Sequence, residues 1–507
     1  MSGTAGRRAG TGTISSSDLA PQTPHARPLS GLLRRLRRVE VKGDAVVRIG
    51  AVAYRSGDVT PGSLFFCIPG AKADGHDFAG EAVRNGAVAL MVERWLPHDV
   101  AQVRVASVRE AMGPVSALFF GRPADAMTMV GVTGTNGKTT TTHLLESVFR
   151  AAGLVPGVVG TTGVRIDGDP IPSPRTTPEA PDLHGLLARM RERGVQAVAM
   201  EVSSHGLDQH RVGGIRFACA VFTNLSQDHL DYHASMEEYF EAKAKLFTPA
   251  VTERAVVNAD SKEGRLLVRP DLPTLTFGLE ETADIRATDV ETSTRGIAFR
   301  VGDVRVHSPL PGLFNVENCL AALGAARSIG ISDEVAARGI AAVRSVPGRV
   351  ETVEADQDFL VMVDYAHTPD SLGNVLRAVR PLATGQLIVV FGCGGDRDRV
   401  KRPLMGAVAA RLADLSVITS DNPRSEDPLT IIAEIEIGAR EGGGAYLVEP
   451  DRRAAIRLAV GEASVGDVVV IAGKGHETSQ EFADRRIPFD DRQVAAEEIR
   501  ALGEGRR

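Results

Sequence analysis

Between residues 45 and 127 the alternation of apolar and polar positions is mixed. "GSLFFCIPG" reads as a strand that ends at a Pro-Gly turn. "HDFAGEAVRNGAVALMVE" reads as a helix, a stop at Gly86 and a second strand. From Met127 the pattern changes. Apolar strands, "MTMVGVTG", "VQAVAMEVSS", "FACAVFTNLS" and "ERAVVNAD", alternate with helical stretches. Parallel sheet with crossover helices is the natural product of that order. Short β-like runs over residues 283–308 interrupt it, and "NVENCLAALGAARSIG" follows as a helix stopped by Gly330. A boundary falls near "SVPGR", residues 345–349. Beyond it, "FLVMVDYAH", "QLIVVFGCGGD", "LSVITSDNPR" and "DVVVIAGKGHE" each read as a buried strand ending in polar or glycine residues. Ligands of open α/β sheets sit at the carboxyl ends of strands, so those loops are where chemistry is expected.

The chain has 507 residues, enough for two to four domains of the usual size, about 100–200 residues each. With 43% hydrophobic and 24% charged residues, folded domains with real cores are expected. A net charge of −6 offers no basic field for nucleic acid. No apolar run approaches the roughly 20 residues of a membrane helix. Cys67, Cys219, Cys319 and Cys393 form no CxxC pair, which argues against a zinc site and for small core residues in a reducing compartment. The first 38 residues hold seven Arg against one acid, Asp18. They read as a disordered cationic extension, with an organelle transit peptide as the alternative.

"GVTGTNGKTTTTHLL", residues 131–145, follows an apolar strand. A phosphate-binding loop of the common kind would have glycine at 132, where this chain has Val132. The glycines are Gly131 and Gly134. The physical parts are nonetheless complete. The turn Gly134-Thr135-Asn136-Gly137 can turn N–H groups toward phosphate, and a helix N-terminus follows. Lys138 can reach the β- and γ-phosphates of ATP. Thr139 offers a hydroxyl to Mg²⁺, and Thr140 follows it.

Downstream, Glu201 ends the strand of "AMEVSSHGLDQHRV" and is a candidate Mg²⁺ ligand. "TNLSQDHLDYH" sets His229 between Asp228 and Asp231, at a spacing that fits no zinc pattern. "YFEAKAKLF" reads as a helix carrying Lys243 and Lys245.

"GTNGKTT" resembles the nucleotide loop of the Mur ligase superfamily, which includes the folylpolyglutamate synthases. "MEVSSHGLxQHRV" and "NLSxDHLDYH" resemble the branch of that family that adds the third amino acid of the peptidoglycan stem peptide. The resemblance covers about residues 45–495. It implies an α/β protein of three domains: a small mixed α/β N-terminal domain for a UDP-sugar, a central P-loop-type ATPase domain with a mostly parallel sheet, and a C-terminal Rossmann-like domain for the incoming amino acid. With the extension at 1–40, the boundaries are placed at 41–127, 128–345 and 346–507.

The same resemblance implies roles for individual residues. Lys138, Glu201, His229 and Lys243 would form the catalytic set. Lys243 matches a lysine that is carbamylated by carbon dioxide in the family, and as a carbamate it would join Thr139, Glu201 and His229 around the metal. Asn318 would lie near adenine, Arg349 near the phosphates and Asp364 near the ribose. The UDP-sugar peptide would meet Thr176, Thr177, Ser203, Gln209 and Arg211, and in the first domain Ser56 and Ala71-Lys72-Ala73. Here the chain departs from the family. The uridine loop commonly shows Asp-Ser-Arg, whereas this chain has "YRSGDV" and retains Ser56 alone. Arg175 stands where some members have Asn.

"VITSDNPRSEDP" is a good turn, because Asp421-Asn422-Pro423 favours one. Turn chemistry does not require Arg424, whose fork suits a carboxylate. Asp-Asn-Pro-Arg resembles the family's recognition signature for meso-diaminopimelate, which has one carboxylate more than lysine. Arg397, Gly473 and Glu477 would complete that pocket.

The resemblance therefore implies an ATP-dependent acid–amino-acid ligase. It would add meso-diaminopimelate to UDP-N-acetylmuramoyl-L-alanyl-D-glutamate through an acyl phosphate, in the cytoplasm, as a monomer, with Mg²⁺ and with no nucleic-acid or membrane partner. A lysine-adding ligase, a folylpolyglutamate synthase and a non-catalytic scaffold with a relic loop are the alternatives.

Overall fold

The computed structural model describes residues 26–70, 73–171, 173, 175–280, 282–293 and 296–505. The chain forms two compact units. One holds the chain up to Met129 together with Val155–Arg216, the other Val130–Leu154 together with everything from Phe217 onward.

The first unit contains a five-stranded sheet in the order Glu40–Lys42, Ala101–Arg104, Ala87–Val92, Ser63–Phe66, Ala51–Ala53. Only the Glu40–Lys42 pairing is antiparallel. Alternate residues point to opposite faces. Leu64, Phe66, Met91 and Val103 pack with Met112, Val115 and Phe119 of the Val108–Phe119 helix. Phe65, Leu90 and Val92 pack with Ala79 and Ala82. Ser107 starts that long helix by accepting from the Glu110 N–H.

The expected extension over residues 1–40 needs correction at its C-terminal side. Arg27–Pro28 pairs with Arg48–Ile49, and Leu29 and Leu32 are buried in the same core. Three residues apart on one helical turn, the two leucines share a face. The surrounding arginines masked that signal. Residues 1–25 lie outside the described residues.

The same unit carries the parallel strands Pro156–Gly160 and Ala197–Glu201, joined through the Ala180–Glu192 helix, with a hairpin of Gly163–Ile166 and Asp169–Ile171 beside them.

In the second unit residues 130–133, the end of the Thr128–Thr133 strand, run parallel to Cys219–Phe222, followed by Ala255–Asn258, Thr274–Gly278 and Ile285–Arg286, all parallel. The expected β-like interruption is an antiparallel sheet of Thr288–Ser293, Gly296–Val301 and Val304–Ser308. The Phe314–Ser328 helix ends just before Gly330, whose φ is 86°.

A six-stranded sheet forms the C-terminal part. Its order is Glu351–Val353, Leu360–Asp364, Val468–Ala472, Leu387–Phe391, Leu415–Ile418, Ala445–Val448. All neighbours are parallel except the first pair. Val389, Phe391 and Val470 face Leu372, Met405 and Ile435. Ile388, Val390 and Ile471 face Ile456, Val460 and Val494. Burial on both faces is why these strands read as unbroken apolar runs. Ala445–Val448 is an edge strand, largely exposed, and lacks that signal. Parallel strands put the loops after Asp364, Phe391, Ile418 and Ala472 at one edge. All four cysteines are buried and free.

Candidate functional site

The nucleotide loop is built by close approach. Gly134 has φ 147° and Gly137 has φ 86°. A Cβ on Gly134 would lie 1.9 Å from Thr223 Oγ1, and one on Gly137 would lie 2.3 Å from Asn318 Oδ1. Neither position accepts another residue without displacing a neighbour. The loop is pinned from the next strand: Thr135 N–H donates to Asn224 O at 2.9 Å, Asn136 N–H to Asn224 Oδ1 at 2.8 Å, and Thr223 Oγ1 to Asn136 O at 2.6 Å. Lys138 opens the Lys138–Ala151 helix, and its Nζ curls back to donate to Gly134 O at 2.8 Å and Thr135 O at 2.7 Å. Thr139 and Thr140 lie buried in the first turn. Arg349 donates from Nη2 to Thr139 Oγ1 at 3.0 Å, and its guanidinium lies 4.7 Å from the Tyr365 ring centroid. Lys138, Thr139, Arg349 and Asn318 thus surround one loop.

Asp364 ends the strand Leu360–Asp364. It is buried, and its two oxygens accept from Val350 N–H and Ala366 N–H at 2.7 Å each. In this structure it organises the backbone around Arg349 and Tyr365.

Lys243 is fully buried. Its Nζ donates to Gly134 O at 2.8 Å and sits 4.3 Å from the Tyr239 ring centroid. Burial, and after it the charge of Lys138, holds this amine well below the usual lysine range, against the opposing pull of Asp228. Asp228 was overlooked as a site residue, although it adjoins His229 in the sequence. Burial opposes its ionisation, yet His367, His229 and Lys401 hold its carboxyl well below the usual range. His229 Nε2 is 3.4 Å, and His367 Nε2 3.7 Å, from Asp228 Oδ2. His229 has φ 56°, a left-handed conformation uncommon for a residue other than glycine.

Within the first unit a second cluster forms around Glu201, the last residue of its strand. Its carboxylate accepts from Thr161 N–H at 2.9 Å and Thr161 Oγ1 at 2.8 Å, and a Cβ on Gly160 would lie 2.3 Å from Oε1. Thr176 Oγ1 is 3.0 Å from Thr161 Oγ1. Thr177 Oγ1 donates to Glu201 O at 3.0 Å and accepts from Ser203 N–H at 3.0 Å. Ser203 caps the helix Ser204–Asp208. Arg211 donates to Thr177 O at 3.0 Å and to Gln209 Oε1 at 2.7 Å, and lies 3.2 Å from Glu179. The structure therefore gathers Thr176, Thr177, Ser203, Gln209 and Arg211. It adds Thr161 and Glu179, which the sequence reading missed because a lone threonine or glutamate carries no motif. Glu179 also pairs with Arg175 at 2.8 Å, which gives that arginine a role in holding the acid.

In the first sheet Ser56 opens the short turn Ser56–Asp58 and its carbonyl accepts from Asn85 Nδ2 at 2.9 Å. Ala73 O accepts from Gly70 N–H at 3.0 Å. Ala71 and Lys72 lie outside the described residues. Beside Ser56, Tyr54 donates to Asp182 Oδ2 at 2.6 Å, and the Arg55 guanidinium lies 5.3 Å from the Tyr54 ring centroid.

The loops after Phe391, Ile418 and Ala472 interlock. Arg424 has φ 52°; its N–H donates to Glu481 O at 3.1 Å and its Nη1 to Gly395 O at 2.7 Å. A Cβ on Gly395 would lie 1.9 Å from Pro423 O. Asn422 donates to Glu477 Oε2 at 2.8 Å, and the fully buried Lys474 donates to the same oxygen and to Asn422 Oδ1 at 3.0 Å each. Gly473, at φ 114°, has no room for a Cβ beside the Asp421 carboxylate, 2.4 Å away. Arg397, about half exposed, is 3.5 Å from Asp231. Lys474 was missed because "AGKGHE" offers no ligand spacing.

ATP fits the nucleotide loop on its own terms: glycine positions with no room for a side chain, a helix N-terminus, Lys138 and a guanidinium at Thr139. Among the described residues no group of three His, Cys, Asp or Glu side chains is arranged to hold a metal ion. Mg²⁺ takes few protein oxygens and completes its shell from phosphate and water, so the Thr139 hydroxyl at this loop suits it.

Three family models match: "Mur ligase family, catalytic domain" over residues 48–117, "Mur ligase middle domain" over 132–326 and "Mur ligase, glutamate ligase domain" over 348–475. A protein of Geobacillus thermodenitrificans named UDP-N-acetylmuramoyl-L-alanyl-D-glutamate--2,6-diaminopimelate ligase is 48% identical over 479 residues, which is 92% of this chain and 98% of that protein. A protein of the same name from Streptomyces avermitilis is 46% identical over 498 residues, 94% of this chain and 98% of its own. A solved structure carrying that name superposes with a TM-score of 0.68 at 35% identity, over 94% of this chain and 100% of that one. The folylpolyglutamate synthase of Mycobacterium tuberculosis complexed with ADP and AMPPCP shares the fold alone, at 19% identity and a TM-score of 0.60, over 76% of this chain and 93% of that one.

Proposed function

We propose that this chain, which belongs to the Mur ligase family, is the ATP-dependent ligase that joins meso-diaminopimelate to UDP-N-acetylmuramoyl-L-alanyl-D-glutamate in peptidoglycan precursor synthesis. The observation that carries the choice of amino acid is the 421–424 turn. Arg424 is fixed by Gly395 and Glu481, while Asn422 holds Glu477. A guanidinium and a carboxylate in one pocket suit the zwitterionic far end of diaminopimelate. Lysine lacks the second carboxylate that the guanidinium would meet, and a folate offers no matching ammonium.

In this reading Thr176, Thr177, Ser203, Gln209 and Arg211 hold the dipeptide end of the nucleotide sugar, and the turn at Ser56 its other end. Lys138 leaves its two loop carbonyls for the γ-phosphate of ATP, and Arg349 follows it. The D-glutamate γ-carboxylate attacks that phosphorus and ADP departs. Positioning and charge stabilisation supply most of the acceleration. When bound, Mg²⁺ supplies further neutralisation of the phosphate charge, with Thr139, Glu201, His229 and a Lys243 carbamate as the residues to hold it. The acyl phosphate then accepts the neutral amine of diaminopimelate, and phosphate leaves from the tetrahedral intermediate. No helix among the described residues is long and apolar enough to cross a membrane. We place the enzyme in the cytoplasm as a monomer acting on small molecules, with no nucleic-acid or membrane partner.

The test is phosphate release from ATP and Mg²⁺ with the UDP-dipeptide and a panel of amino acids. Release is expected with meso-diaminopimelate, and with lysine lower by a factor on the order of 10⁴. Equal release with lysine, or release with a folate acceptor, would overturn the assignment.

A further inference from the structure

The pocket arginines sit on two loops, Arg397 after Phe391 and Arg424 after Ile418. What fixes the distance between those loops is a side chain that no sequence motif singled out. Arg402 lies in the Lys401–Leu412 helix and is fully buried. Its guanidinium forms a fork with Glu426, Nη1 to Oε2 at 2.9 Å and Nη2 to Oε1 at 2.8 Å. Nη1 also donates to Glu434 Oε2 at 2.8 Å, and Nη2 to Gly394 O at 3.4 Å. Glu426 in turn accepts from Asp396 N–H at 2.6 Å. The Asp396 carboxylate accepts from Ser425 Oγ at 2.5 Å and Ser425 N–H at 3.3 Å. Asp396 and Arg424 are both left-handed, at φ 53° and 52°. Each such conformation persists only where its surroundings over-determine it.

We propose that Arg402 is a positioning residue for amino-acid selection: by clamping Glu426 to Gly394 it sets the spacing between the loops that carry Arg397 and Arg424. The inference rests on the reading of this pocket as the amino-acid site. Charge explains why the clamp needs a buried cation. Asp396, Glu426 and Glu434 gather at the joint, and without Arg402 their repulsion would be opposed from more exposed positions, by Arg399 on Glu434 and by Arg424 near Asp396. Geometry explains why it needs an arginine. One planar fork engages both Glu426 oxygens while the same nitrogens reach Glu434 and Gly394, which a lysine ammonium cannot do. Binding groups held loosely lose selectivity before they lose all affinity.

Arg402→Met, Arg402→Lys and Glu426→Gln are compared with the unaltered enzyme, measuring kcat and the KM for each of the three substrates, and the preference for diaminopimelate over lysine. The expected result is a rise in KM for diaminopimelate of about tenfold or more, a preference over lysine reduced by a similar factor, and KM for ATP and the UDP-dipeptide within about threefold of the original. Arg402→Lys should resemble Arg402→Met rather than the unaltered enzyme. If Arg402→Met does not fold, Glu426→Gln decides, since it keeps Arg402 and weakens the same joint. A diaminopimelate KM that stays unchanged, or KM values for all three substrates that rise together, would overturn the proposal. Failure of the unaltered enzyme to use diaminopimelate would instead overturn the functional reading beneath it.

Discussion

Lys138 and Lys243 donate to the same carbonyl oxygen, that of Gly134, at 2.8 Å each. Two ammonium groups that share one acceptor repel each other, and the buried one yields its proton first. Lys243 is the buried one. A neutral amine is the species that captures carbon dioxide, and the lowering of the Lys243 amine by burial and Lys138 acts in that direction. With ¹³C-labelled bicarbonate, a carbamate carbon resonance is expected from the unaltered protein and from no Lys243→Arg sample. Lys243→Arg should also lose turnover, because its guanidinium stays protonated. A resonance surviving in Lys243→Arg would assign the carbamate elsewhere.

Thr161 holds Glu201 through both its backbone N–H and its hydroxyl. Removing the hydroxyl leaves the carboxylate in place but less well oriented. With Glu201 as the Mg²⁺ ligand proposed above, loss of such an orienting partner typically costs about tenfold to a hundredfold in metal affinity. Thr161→Val should therefore raise the Mg²⁺ concentration needed for half-maximal phosphate release by that factor, with kcat at saturating Mg²⁺ changed much less. The titration against Mg²⁺ checks it directly.

These two sites were legible to different depths. Lys138 and Glu201 lie in runs whose residue types and spacing are local, so the sequence exposes them, whereas Lys243 stands out only through the family resemblance. Thr161 lies 40 residues from Glu201, Glu179 lies 32 residues from Arg211, and Arg402 meets Glu426 and Glu434 across two helices and a loop. Such pairs arise from chain crossings that a linear pattern does not record. The strands show the same contrast. Buried parallel strands such as Leu387–Phe391 are continuous apolar words, whereas the exposed edge strand Ala445–Val448 has no burial to announce it. Leu29 and Leu32 were hidden by composition, because arginine-rich surroundings outweigh two leucines in any averaged reading.

Arg424 is the sharpest test of amino-acid choice. A lysine there keeps the charge and loses the fork. Its left-handed backbone and its bond to Gly395 also favour the native side chain. Arg424→Lys should lower kcat/KM for diaminopimelate by roughly 10²–10⁴, while the KM for ATP moves by no more than a few-fold. Steady-state kinetics with each substrate varied in turn separates the two. Equal losses for ATP and diaminopimelate would mean that the turn supports the fold rather than the choice.

Glu317, next to Asn318 at the nucleotide loop, gives a pH signature. Burial first, then the charges of Asp260 and Asp370, push its carboxyl up to about 7, against a bond from Asn258 at 3.3 Å. In the unfolded chain the same group titrates near 4.5. Between those values the folded state binds more protons than the unfolded one, so stability falls as pH rises through that window. Below about 4.5 both states are protonated and no penalty exists; above about 7 both are ionised and the penalty is complete, on the order of 1–3 kcal/mol for a partly buried group. Glu317→Gln removes the charge and keeps the shape. The variant should therefore be more stable than the unaltered protein at pH 8, and the advantage should shrink steadily to nothing as pH falls toward 4.5. Thermal melts of both proteins across that range read the difference. A gap that is constant with pH would place the Glu317 charge in water, away from the influence of Asp260 and Asp370.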